Sequence, residues 1–82
     1  TFDPLILHIS PSMLPRIETW VTFPSPELKK TFEICAQAFW PGPLTMLFQK
    51  KPIVPDLATS GLPEVAIRMP SHPVAISLID AF

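Results

Sequence analysis

The sequence predicts an α/β or α+β fold, with helices flanking an open β-sheet. Two observations carry this prediction: short apolar runs alternate with a helical pattern along the chain, and prolines separate them. The 82 residues include 12 prolines and only 2 glycines, and the prolines bracket the apolar runs instead of forming one proline-rich tract. The resulting strand–helix–helix–strand–strand–helix order is typical of layered folds that combine helices with a sheet.

Three segments have the pattern of β-strands. Residues 5–9 are a short, nearly continuous apolar run, which predicts a strand buried on both faces. Residues 44–49 predict a second strand and residues 65–69 a third. Side chains alternate across a strand. One face of the third strand should therefore carry three residues: Glu64, Ala66 and Arg68.

The clearest helix begins at Ser25-Pro26-Glu27. Ser25 can cap the helix, and Pro26 suits the first helical position. The prolines of Pro41-Gly42-Pro43 must end it. Its apolar stripe is predicted to comprise four residues: Leu28, Phe32, Cys35 and Phe39.

Two further helices are predicted, and residues 50–63 are expected to form a loop. One short helix spans residues 13–20. The other follows His72-Pro73, and its apolar side should comprise Val74, Leu78, Ile79 and Phe82.

Composition excludes several classes of protein. A hydrophobic fraction of 48% and a charged fraction of 16% exclude a disordered segment, and a net charge of −1 does not indicate a strongly basic nucleic-acid binder. The single cysteine, Cys35, excludes an internal disulfide and a zinc site with several cysteines. No apolar run approaches the ~20 residues of a membrane span. The sequence has no glycine-rich phosphate loop, metal-ligand cluster or Ser-His-Asp set.

His8 and Arg68 are the residues that could carry chemistry, and each leaves two interpretations open. His8 is either a core histidine satisfied by backbone groups, or a strand-end side chain that faces a ligand pocket. Arg68 either forms a structural ion pair with Glu64 or Asp80, or holds a carboxylate or phosphate through two parallel hydrogen bonds.

The remaining polar and aromatic features favour structural roles. The turn Trp40-Pro41-Gly42-Pro43-Leu44-Thr45 is predicted to be architectural, with Trp40 packed against the core. The pairs Lys29-Lys30 and Lys50-Lys51 are interpreted as solvated surface charge, with a small contribution to an RNA surface as the alternative.

Three motifs together resemble the YrdC-like family in their order and approximate spacing. They are Asp3-Pro4-Leu5-Ile6-Leu7-His8, Phe39-Trp40-Pro41-Gly42-Pro43-Leu44-Thr45, and Val65-Ala66-Ile67-Arg68-Met69-Pro70 followed by His72-Pro73. The resemblance spans essentially the whole sequence. It implies a twisted open sheet with flanking helices and a concave basic cavity, which this sequence covers only in part.

The resemblance also implies a cytoplasmic nucleotidyltransferase that acts in tRNA modification. Members combine ATP, L-threonine and bicarbonate into L-threonylcarbamoyladenylate and pyrophosphate, and Mg²⁺ is the expected helper. A partner transferase then moves the threonylcarbamoyl group to an adenosine of tRNA. Members are also described as binding double-stranded RNA, and no membrane is involved.

Four positions match ligand positions of the family. His8 resembles the histidine beside the threonine substrate, and Arg68 resembles the arginine that holds the threonine carboxylate. Asp3 and Glu64 match positions on the ATP side, although the family usually has threonine at the position of Glu64. The reaction needs no covalent nucleophile, and no catalytic residue or metal ligand is assigned in this sequence.

Residues 1–82 are expected to be the central part of one YrdC-like domain that is truncated at both ends. The Lys-x-Arg segment of the family should precede Thr1, its Ser-x-Asn segment should follow Phe82, and both contact ATP, so this chain alone should be inactive. Two other functions stay open: a YrdC-like carbamoyltransferase domain of hydrogenase maturation, and a non-catalytic module that binds double-stranded RNA.

Overall fold

The computed structural model describes residues 5–81, which form one mixed β-sheet with helices. The strands are β1 (Ile6–His8), β2 (Val21–Thr22), β3 (Thr45–Lys50) and β4 (Glu64–Arg68). They lie in the order β1-β4-β3-β2, with β1 parallel to β4, and β3 antiparallel to both β4 and β2. The predicted α+β class is confirmed, and so are the three predicted strands.

The helical elements are a 3₁₀ segment (Pro11–Thr19), α1 (Pro26–Phe39), α2 (Asp56–Thr59) and α3 (Pro73–Asp80). The predicted cap of α1 is confirmed, because the Leu28 backbone N–H donates to Ser25 Oγ at 3.2 Å. At the N-terminus of α3, the Val74 N–H donates to His72 Nδ1 at 3.2 Å, so His72 caps this helix. None of the helices within residues 5–81 is long and apolar enough to cross a membrane.

Three features differ from the sequence prediction. The strand expected to be buried on both faces is β1, which lies at one end of the strand order, so that Ile6 and His8 are exposed. Neither β2 nor α2 was predicted. With two and four residues, these elements are too short to establish a period that sequence inspection can detect.

An aromatic cluster joins α1 to one face of the sheet. Phe32 of α1 lies with its ring centroid 5.3 Å from that of Phe48 on β3 and 5.8 Å from that of Trp40. The helix therefore buries Phe32 and Ala36, while Leu28 and Phe39 of the predicted stripe are exposed. The prediction of that stripe was half wrong because apolar residues occur around most of α1, and contact with the sheet selects the buried side.

The turn after α1 connects the end of that helix to the start of β3. Trp40 is buried and its Nε1–H donates to the Leu44 carbonyl at 2.8 Å, while the Gly42 N–H donates to the Met69 carbonyl at 2.9 Å. The Trp40-Pro41 peptide is cis. A side chain at Gly42 would place its Cβ 2.6 Å from the Phe39 carbonyl oxygen. The predicted architectural role of this turn is therefore confirmed, with glycine required by a close backbone approach.

Gly42→Ala should lower the free energy of unfolding by about 2–3 kcal/mol, because the new methyl group meets backbone that cannot move without disturbing α1. Urea unfolding measures this change. Gly61→Ala is the control: its Cβ meets nothing within 4 Å, so only the positive φ of 79° opposes it, at about 1 kcal/mol. An equal decrease in the free energy of unfolding for both variants would contradict the close approach at Gly42.

The end of α3 is tied to the segment that follows β1. Asp80 Oδ1 accepts hydrogen bonds from the hydroxyl groups of Ser10 and Ser12, the latter at 2.9 Å. The hydrogen bond from Ser10, followed by that from Ser12, lowers the pKa of the Asp80 carboxyl below its usual value. Both hydroxyls donate to the ionised carboxylate, and the Ser10 side chain is fully buried.

Because the pKa of Asp80 is lower in the folded than in the unfolded protein, this contact stabilises the fold at neutral pH. The contribution is complete well above the unfolded value of about 3.9 and is lost as the pH falls through the folded pKa. NMR titration of the carboxyl carbon should show that Ser10→Ala raises the pKa of Asp80 more than Ser12→Ala does. An unchanged pKa in both variants would contradict this pairing.

Candidate functional site on the open face of the sheet

The sheet has one face covered by the core and one that we call the open face. Residues paired across neighbouring strands point to the same side of a sheet. The open face is defined by nine residues in three rows: His8, Arg68 and Thr45 in the first, Ile6, Ala66 and Leu47 in the second, and Glu64, Gln49 and Thr22 in the third.

Exposure distinguishes the two faces clearly. On β4, Val65 and Ile67 point to the core and are 0% and 1% exposed. On the open face, Leu47 is 67% and Ile6 is 40% exposed. The second row is therefore an apolar strip at the surface, between the Arg68 row and the Glu64 row. The concave basic cavity that the resemblance implies would need walls beyond these residues, and it stays a prediction.

Arg68 lies in the middle of the first row and is half-buried. Its Nε–H donates to Thr45 Oγ1 at 3.1 Å. The ion pairs within residues 5–81 are Lys29–Glu18 and Lys50–Asp56, so Arg68 has no carboxylate partner in that part of the chain. The structural ion pair of Arg68 with Glu64 or Asp80 is therefore wrong, and the interpretation as an anion-holding fork remains.

His8 is the register partner of Arg68 on the parallel strand β1. Its side chain is exposed, so the interpretation as a core histidine is wrong in this structure. Adjacent strands lie about 4.8 Å apart, and the two side chains leave the sheet on the same side. One small ligand can therefore contact both.

The two residues predicted on the ATP side have different outcomes. Glu64 begins β4, is exposed, and pairs with Gln49 of β3. It lies on the same face as Arg68, four residues before it, which corresponds to about 13 Å along the strand. Asp3 lies outside the described residues.

Thr45 is a member of the first row that sequence inspection did not select. It appeared in the sequence only as the last residue of the Trp40–Thr45 turn motif. Its role in the row depends on β3 pairing with β4 in the register that places Thr45 opposite Arg68. No periodicity in the sequence indicates that register, so the available signal was the position of Thr45 at the end of the turn motif.

Lys50 is less solvated than predicted, whereas Lys29 and Lys30 are exposed as predicted. Lys50 is only 10% exposed in its side chain; its Nζ donates to the Val54 carbonyl at 2.9 Å and lies 2.8 Å from Asp56 Oδ1. Lys29 pairs with Glu18 at 3.0 Å, and Lys51 donates to the Glu18 carbonyl. Solvated surface charge is thus wrong for Lys50, and these pairings weaken the alternative of a basic RNA surface.

Across positions 5–81, no group of three or more His, Cys, Asp or Glu side chains is placed to hold an ion. Among the residues that define the open face, Glu64 is the one carboxylate, and it lies in the third row. These residues do not fit a magnesium cage made by the protein alone.

Comparison with known proteins identifies the family. The Sua5/yciO/yrdC family model, described as "Telomere recombination", matches residues 3–82. The chain therefore belongs to this family. It is 40% identical over 78 residues to a threonylcarbamoyl-AMP synthase of Pyrococcus abyssi, and 44% identical over 78 residues to one of Bacillus subtilis. These matches cover 95% and 94% of this chain but only 21% of each relative, so the chain spans about a fifth of their length.

Solved structures show the same fold. The crystal structure of P. abyssi Sua5 complexed with L-threonine is similar with a TM-score of 0.81 and 41% identity, over 95% of this chain and 21% of that one. A variant structure of the same protein gives a TM-score of 0.80. The YrdC-like fold predicted from the sequence is confirmed.

Lys50→Met should lower the free energy of unfolding by about 1–3 kcal/mol, because the Val54 carbonyl loses its donor from a largely buried side chain. Urea unfolding measures the loss. Lys30→Met, at an exposed position, should change stability by less than about 0.5 kcal/mol. Unchanged stability in Lys50→Met, with weaker binding of double-stranded RNA, would favour the RNA-surface interpretation instead.

Proposed function

We propose that this chain is the central part of one YrdC-like domain of an L-threonylcarbamoyladenylate synthase. The observation that carries the proposal is the pairing of His8 with Arg68 on the open face. It is supported by the relatives, which are named threonylcarbamoyl-AMP synthases, and by a similar structure that binds L-threonine.

In this proposal, Arg68 and His8 bind L-threonine. The guanidinium of Arg68 holds the threonine carboxylate, because a planar fork of donors matches a carboxylate through two hydrogen bonds. His8 lies against the same amino acid from the neighbouring strand. The absence of a competing carboxylate around Arg68 within the described chain leaves its charge available for this ligand.

ATP binds toward the other end of the open face, near Glu64. Asp3, which lies outside the described residues, is proposed as a second residue that contacts ATP. A carboxylate repels phosphates but accepts hydrogen bonds from ribose or adenine. We therefore place the nucleoside, and not the triphosphate, beside Glu64. The apolar row of Ile6, Ala66 and Leu47 separates this end from Arg68.

The reaction requires orientation and charge neutralisation more than a protein nucleophile. The threonine amine combines with bicarbonate to form a carbamate and water. A carbamate oxygen then forms a bond to the α-phosphorus of ATP, the bond to the β-phosphate oxygen breaks, and pyrophosphate leaves. Holding the amino acid in place lowers the entropic part of this barrier. Mg²⁺ would accompany the ATP phosphates, as is usual for this ion.

The product would serve tRNA modification in the cytoplasm. A partner transferase would carry the threonylcarbamoyl group to tRNA. Because the chain spans only about a fifth of its relatives, ATP phosphate contacts are assigned to the rest of the polypeptide, and this chain alone should be inactive.

The test uses the complete polypeptide that contains this chain. Pyrophosphate release from ATP should require both L-threonine and bicarbonate. Arg68→Ala should raise the KM for threonine about 100-fold, because the half-buried guanidinium that pairs with the carboxylate is lost. Steady-state assays with varied threonine and varied ATP measure the KM for each substrate.

Arg16→Ala is the matched control, because Arg16 is an exposed arginine in the 3₁₀ segment away from the open face. Arg16→Ala should leave the KM for threonine and the KM for ATP within about twofold of the original values. Turnover that ignores threonine or uses carbamoyl phosphate would refute the proposed synthase. Salt-sensitive RNA binding without any turnover would indicate the non-catalytic module instead.

A further inference from the structure

Within the described residues, the Arg68 side chain is held by a hydrogen bond to the side chain of Thr45. Its Nε–H donates to Thr45 Oγ1 at 3.1 Å, and the two residues are register partners in the antiparallel pair of β3 and β4. Both are half-buried. An arginine side chain has many rotamers, so a hydrogen bond at Nε selects among them and fixes the plane of the guanidinium.

The bond also decides which edge of the guanidinium remains for a ligand. A guanidinium can hold a carboxylate along the Nε edge or through its two terminal nitrogens, Nη1 and Nη2. Thr45 occupies Nε. The terminal pair, which lies at the far end of the side chain, is therefore the edge that remains for two parallel hydrogen bonds.

The turn before β3 fixes Thr45 in its place. The Trp40 indole N–H binds the carbonyl of Leu44, the residue before Thr45. The Gly42 N–H binds the carbonyl of Met69, the residue after Arg68. The same turn is thus hydrogen-bonded next to both members of the pair, and together with the pairing of β3 and β4 it holds Thr45 beside Arg68.

We propose that Thr45 is a positioning residue for threonine recognition, which fixes the Arg68 guanidinium so that its terminal nitrogens bind the amino-acid carboxylate end-on. This inference rests on the proposed function and adds to it a residue that neither contacts the reacting atoms nor supplies charge. It also gives the Trp40–Thr45 turn a functional consequence, because the turn presents Thr45 to Arg68.

Thr45→Val is the sharpest test, because valine keeps the branched shape and loses only the oxygen that accepts from Nε. In the complete polypeptide, its dissociation constant for L-threonine, measured by calorimetry, should rise about tenfold, as expected for loss of one hydrogen bond to a charged group. The KM for ATP and kcat should stay within about twofold. Thr45→Ser keeps the hydroxyl and should bind threonine within about threefold of the original protein.

A double-mutant cycle separates positioning from general damage to the fold. In an Arg68→Lys background there is no Nε–H to hold, so adding Thr45→Val should weaken threonine binding by less than about twofold. A further tenfold loss in that background would overturn the inference, and so would an unchanged dissociation constant in Thr45→Val alone. If Thr45→Val does not fold, Thr45→Ala and Thr45→Ser are compared in the same cycle, with circular dichroism as the check on folding.

The outcomes also separate this inference from the proposed function. A complete polypeptide that neither binds threonine nor releases pyrophosphate overturns the proposed function and the positioning role together. A polypeptide that does both, with equal threonine affinity in Thr45→Val and Thr45→Ser, overturns the positioning role alone.

Discussion

The register of β4 between its two neighbours is the constraint on which the candidate site depends. Val65 and Ile67 of β4 point into the core, where both are fully buried. Because side chains alternate along a strand, Arg68 points to the opposite face. A slip by one residue would expose two core side chains and bury a guanidinium, and both changes are strongly unfavourable. The same register aligns His8 and Thr45 with Arg68. Hydrophobic burial on one face therefore places the polar row on the other.

The core and the turn after α1 stabilise the position of the His8, Arg68 and Thr45 row from the other face of the sheet. Phe32, Trp40 and Phe48 pack together, and their contact selects which side of α1 faces the sheet. Trp40 continues directly into the turn that is hydrogen-bonded next to Thr45 and next to Arg68. Packing on the core face and geometry on the open face are thus connected through one short segment.

The chain belongs to the Sua5/yciO/yrdC family and is similar to a threonine-bound structure, and both findings support the interpretation of the open face as a ligand-binding surface. The open face combines a cation, an imidazole and a hydroxyl in one row with an exposed apolar strip beside it. Such a surface suits a small zwitterion next to a larger ligand, which is the combination that the proposed synthase requires. In the proposed function, this chain would supply the residues that contact the amino acid, and it spans about a fifth of the relatives' length.

The sequence by itself determined the three longer strands, the capped start of α1, the turn and the faces of β4, because these follow from local periods and from the chemistry of serine, proline and glycine. It also singled out His8 and Arg68. Only the tertiary structure decided that β1 is exposed, which side of α1 is buried, that Lys50 is largely buried, and that Thr45 and not an acidic residue meets Arg68. These outcomes depend on strand order and register between distant segments, and residue spacing within one segment contains no information about them.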